Sequence, residues 1–76
     1  MPRFFFNVQD GVDLRDEEGM LLPDLDAARR LAIQYAGALL GESGQSIGFG
    51  DTWHLEATDE AKKVVFRLDF RVRAAA

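Results

Sequence analysis

Few residues in this chain could do chemistry. His54 is the only histidine, and there is no cysteine. In an extended segment His54 points away from its neighbours Trp53 and Leu55, onto the side of Thr52 and Glu56. An imidazole can act as a general base near neutral pH. To do so it needs a nucleophile, a metal, or a carboxylate that orients it. Ser43 and Ser46 sit in a glycine-rich stretch that lacks the strand–turn–helix setting of a nucleophile elbow. Only a deep pocket joining His54 to Asp51 or Glu56 would make an enzyme of this chain. The expectation is a noncatalytic protein without catalytic residues, metal ligands or a cofactor.

Two other stretches invite a chemical reading. The glycine-rich run GESGQSIGFG (41–50) has no lysine and leads into a strand pattern, so it does not match a phosphate-binding loop. It reads as a flexible connector. The acidic run between Asp10 and Asp26 holds seven carboxylates and one arginine, a local balance of −6. Counting from Asp13 or Asp16, its oxygens do not fall at the alternating positions of a calcium loop with a distal glutamate. Asp10 is expected to serve a turn and Asp24 to cap a helix, the other acids being solvated.

Charge is distributed unevenly. Residues 62–76 carry five bases and one acid, a balance of +4, in a chain whose formal net charge is −4. The overall sign argues against bulk attraction to nucleic acid or anionic lipid. The asymmetry itself can mark an interaction surface.

The elements that must position these groups follow from periodicity. RFFFNVQ alternates, with Phe4, Phe6 and Val8 on one face and Arg3, Phe5, Asn7 and Gln9 on the other. Asp10-Gly11 is a strong hairpin signal, and VDLR (12–15) would return as a short edge strand with Val12 and Leu14 inward. DEEG (16–19) reads as a turn and MLLPD (20–24) as an extended segment, because Pro23 keeps Leu22 out of helical geometry.

From Asp24 as N-cap a helix is expected over about residues 25–40. Leu25, Ala28, Ala32, Tyr35, Ala36 and Leu39 make its apolar stripe, and Gly41 stands at the C-cap position. TWHLEAT (52–58) alternates, 59–62 turns, and KVVFRLDFRV (63–72) alternates again. In that last strand Val64, Phe66, Leu68, Phe70 and Val72 would share the inner face, leaving Lys63, Val65, Arg67, Asp69, Arg71 and Arg73 outside.

The predicted fold class is α+β: a two-layer ββαββ sandwich of one amphipathic helix on a mainly antiparallel sheet of two hairpins. It forms one domain over residues 1–73 with a tail at 74–76, and the first and last strands are expected inside the sheet. The outer sheet face is the candidate interaction surface: Arg3, Phe5, Lys63, Val65, Arg67, Arg71 and Arg73. An apolar pair rimmed by arginines suits a protein partner, either a second copy of the chain or another protein. In a homodimer an acidic hairpin would meet a basic strand, or free edges would pair. Single-stranded nucleic acid on the same face is the alternative, although neither RNP motif is present.

No apolar run approaches the roughly 18 residues that would span a membrane, and no membrane partner is expected. FFF is too short for the apolar part of a signal peptide. With no cysteine to form disulfides, a cytoplasmic setting is expected.

Four motifs carry a family resemblance: MPRFFFNVQDG, then DEEG, then LPDLDAAR, and finally a tryptophan with TDE before an alternating strand. Together they resemble the domain-of-unknown-function family DUF6894, whose members are short and mostly alphaproteobacterial. The resemblance runs over nearly the whole chain. It implies no activity, because the family has none established. Family members often have histidine at the position of Asn7, so the departure removes the basis for a histidine site there. They often have glycine where this chain has Ala61 or Lys62, which implies a different turn type.

Overall fold

The computed structural model describes residues 1–9 and 13–75. The expected Asp10-Gly11 turn, Val12 and the last tail residue Ala76 lie outside the described residues. One helix covers one face of an antiparallel sheet, as a two-layer α+β fold requires. The strands are β1 (Arg3–Gln9), β2 (Asp13–Leu14), β3 (Met20–Leu21), β4 (Thr52–Thr58) and β5 (Val64–Arg71); α1 spans Leu25–Glu42.

The sheet runs β2-β1-β4-β5, with β3 also paired to β1. β3 was not expected as a separate strand; Met20 and Leu21 lie opposite Phe4 and Arg3, and Leu22 N–H donates to the Pro2 carbonyl at 3.0 Å. β1 lies inside the sheet as expected. β5 does not: the inner position belongs to β4, and β5 forms an edge. β4 is short of charge on its inner face, where Trp53, Leu55 and Ala57 are all buried.

The core joins Phe4, Phe6 and Val8 of β1 to those three residues and to Ala28, Ala32 and Ala36 of α1. Alanines four apart form a flat strip, so the helix backbone can lie close over the large side chains of the sheet. Leu25 and Tyr35, expected in the stripe, stay exposed at its margins, while Leu39 packs on the core. Asp24 caps the helix: its Oδ1 accepts the Ala27 N–H at 2.8 Å. Gly41 is not the C-cap; the helix passes through it to Ser43, whose N–H reaches the carbonyls of Leu39 and Leu40 with φ −97°. A right-handed cap of this kind needs no glycine.

The β4–β5 hairpin departs from strict alternation. Ala57 lies opposite Phe66 but Thr58 lies opposite Val64, so Val65 is an extra residue in β5. The bulge exchanges two faces. Val64 joins Thr58 on the outer face, and Val65 turns inward onto the core. No helix among the described residues is long and apolar enough to cross a membrane.

Candidate interaction face

The outer face of the sheet is built by the side chains that alternation turns away from α1. Phe5, Asn7 and Gln9 of β1 lie opposite Thr58, Glu56 and His54 of β4. Beyond them β5 sets Arg71, Asp69 and Arg67 opposite Thr52, His54 and Glu56. The 13–17 segment and the β4–β5 turn rise at the margins and leave a groove of about 540 Å³ over Phe5, His54 and Val64.

This groove is not cationic. Asp13, Asp16, Glu17, Glu56 and Glu60 line it together with Arg15, Lys62 and His54. Arg67 donates to Asp69 at 2.9 Å and to Glu56 at 3.4 Å, so two carboxylates already share its charge. In sequence the arginines stand out together; only the pairing of strands adds the acids of β4 and the turn to the same face.

The candidate residues have separate situations. Arg3 Nη1 donates to the Glu18 carbonyl at 2.8 Å, and its backbone N–H donates to Glu60 at 3.1 Å. Phe5 is half-buried on the outer face as expected, lying over Gly19. Lys63 belongs to the turn and Arg73 lies past the end of β5. Arg67 and Arg71 are exposed on the outer face. Val65 is a correction: the bulge turns it into the core, and Val64 takes the outer place beside Phe5.

Asp16 is the residue that sequence reasoning missed. One carboxylate oxygen accepts the N–H groups of Glu18 and Gly19, at 3.1 and 2.9 Å. The other accepts the Phe6 N–H at 3.2 Å, and the Asp16 N–H donates to Asn7 Oδ1 at 2.9 Å. The backbone ladder of β1 is interrupted between β2 and β3, and Asp16 with Asn7 bridges that gap. The signal was present as D-x-x-G, an aspartate whose side chain can hold a turn closed by a left-handed glycine. Gly19 has φ 70°, and a Cβ there would lie 2.8 Å from Phe5 Cε2 and 2.9 Å from the Phe4 carbonyl oxygen. Asn7 is therefore a structural partner of Asp16.

The turn at 59–62 also gains a meaning. Asp59 Oδ1 accepts the N–H groups of Ala61 and Lys63, at 2.9 and 3.0 Å. Lys62 adopts φ 64°, a conformation that glycine takes without strain. The turn therefore holds a left-handed residue that is not glycine.

His54 lies on the outer face, half-buried, opposite Gln9 and Asp69. Ser43 and Ser46 lie beyond the end of α1, where Ser46 Oγ donates to the Ser43 carbonyl at 3.2 Å. The glycine-rich stretch has an ordered end: Asp51 accepts the Gly48 N–H at 2.8 Å, and Gly50 N–H donates to the Val72 carbonyl at 2.7 Å. Among the described residues, no group of three or more histidine or acidic side chains is placed to hold a metal ion.

These features define a small α+β domain with one covered sheet face and one open one. The family model of a domain of unknown function, DUF6894, matches residues 3–71, and the chain belongs to that family. No curated protein and no solved structure matches it.

Proposed function

We propose that the chain is a noncatalytic protein-interaction module, of a regulatory kind, whose contact surface runs from the outer sheet face onto the β5 edge. The supporting observation is the state of β5. Among the described residues it is paired on one side only; it carries Val64, 46% exposed, on the outer face with Arg67 and Arg71, and Phe70, 40% exposed, at the helix-facing side of the same edge. Apolar side chains bordered by arginine have the composition of a protein interface. The nearby charges would make association salt-sensitive. A bacterial cytoplasm is the proposed setting, which the cysteine-free composition suits.

Cross-linking in cells tests this reading. The wild-type chain is expected to be captured with a protein partner, itself or another, and an Arg67→Glu/Arg71→Glu variant is expected to lose it. A wild-type chain cross-linked to no protein contradicts the proposal.

Single-stranded nucleic acid on the same face has thinner support. Stacking platforms combine several aromatics with cations free to meet phosphate. Here Phe5 is packed on Gly19, and Arg67 is held by Glu56 and Asp69. No shift of any labelled oligonucleotide at low salt would remove that reading.

A further inference from the structure

The free side of β5 has a definite hydrogen-bonding pattern. Val72 turns both of its backbone groups toward the chain before β4: its N–H donates to the Asp51 carbonyl at 3.1 Å, and its carbonyl accepts the Gly50 N–H. Backbone groups in an antiparallel strand alternate in direction. Arg71, Asp69 and Arg67 therefore direct their N–H and C=O groups away from β4, into the open side of the sheet.

The side chains on this edge are self-complementary. Written from Phe66, the strand reads Phe-Arg-Leu-Asp-Phe. Set antiparallel to itself about Leu68, it brings Arg67 opposite the partner's Asp69, and Asp69 opposite the partner's Arg67. On the helix-facing side Phe66 meets the partner's Phe70. Residues directly opposite in an antiparallel pair share a face, and the alternation just described makes 67 and 69 a hydrogen-bonded pair in this register. Backbone pattern, faces and charges agree.

Neighbouring registers fail on charge. Sliding one strand by two residues preserves the backbone bonds. It sets either Asp69 against the partner's Asp69 and Arg67 against the partner's Arg71, or Arg67 against the partner's Arg67. Like charges directly opposite destabilise a strand pair. Charged side chains on an edge usually discourage pairing. Opposite signs two residues apart instead select one register.

We propose that two copies of the chain pair antiparallel through β5 about a two-fold axis at Leu68, forming one continuous sheet with both helices on the same side. This deepens the interaction reading above and rests on it: the partner is a second copy, and the contact is the edge. Pairing would cover Phe66 and Phe70, which a lone edge leaves partly open.

Sedimentation of charge variants tests the register. Arg67→Asp leaves two acids at positions 67 and 69, and Asp69→Arg leaves two arginines. The wild-type chain is expected to dimerise with rising concentration, and each single variant to associate more weakly by more than about tenfold. Mixed together, the two variants are expected to form a heterodimer, because each acid then faces an arginine. The Arg67→Asp/Asp69→Arg chain is expected to dimerise alone. Helical circular dichroism verifies that each chain is folded.

A wild-type chain that stays monomeric at millimolar concentration overturns the proposal, as do single variants that dimerise undiminished or a mixture that does not associate. A monomer that is still cross-linked to a different protein overturns self-pairing while the broader interaction reading stands.

Discussion

The sheet has two edges, and the chain treats them differently. On the β1 side the ladder is split into two strands of two residues each, β2 and β3. Asp16 closes the gap between them, and Gly19 lets the turn lie flat against Phe5. An edge broken in this way offers no run of free backbone groups to another chain. On the other side β5 is a run of eight residues, and its one bulge, at Val65, leaves alternation regular from Phe66 onward. The same sheet therefore has a closed border and an open one. Of the acidic segment, Asp13, Asp16, Glu17 and Glu18 lie along the closed border. The mixed-charge strand forms the open one.

Four substitutions or titrations sharpen this contrast. The largest effect is expected at Gly19. Gly19→Ala places a Cβ against Phe5 and the Phe4 carbonyl in a left-handed conformation, and should destabilise the fold by about 2–4 kcal/mol in denaturant unfolding. Asp16→Ala comes next. Three N–H groups lose a charged acceptor, and a loss of about 2–3 kcal/mol is expected after allowing for partial exposure. A change in unfolding midpoint within error for either variant would break the account of the closed border.

Lys62→Gly works in the opposite direction. It relieves a left-handed lysine in the turn and should stabilise by about 0.5–1 kcal/mol. Association through β5 should be unaffected. A destabilised Lys62→Gly chain would show that the lysine side chain matters more than its backbone.

The smallest effect lies at Asp26, away from both edges. A hydrogen bond from Arg29 and its charge, with the charge of Arg30 adding to them, hold the Asp26 carboxyl below its ordinary value. Its folded pKa is depressed, so the contribution to stability is present above the unfolded pKa and is lost as pH falls through the folded one. Nuclear magnetic resonance titration should find its midpoint below that of Asp26 in the unfolded chain. A midpoint at or above that value contradicts the ion pairing.

Much of the architecture was legible because side-chain period reports burial. Phe4, Phe6, Trp53, Leu55 and the Asp24 cap all fall where alternation and capping rules put them. Two features escaped for physical reasons. The inward turn of Val65 depends on a bulge, and strict alternation through VVFRL gives no sign of one. The inner place of β4 depends on which strands meet in space, which apolar content alone does not rank.

The candidate face was the least legible part. Arg67 and Arg71 share one strand with Asp69, but the other acids of the face come from β4, the turn and the 13–17 segment. Only pairing across strands brings them together. Asp16 reads as one acid among several because two of its partners, Phe6 and Asn7, lie on β1.

Amide hydrogen exchange measured over a range of protein concentrations tests the open border most directly. The backbone N–H groups of Arg67 and Asp69 should exchange rapidly in dilute solution and slow markedly as concentration rises, while those of Phe6 and Gly19 keep the same rate throughout. Rapid exchange at Arg67 and Asp69 that does not change with concentration would contradict the pairing of β5 with a second copy.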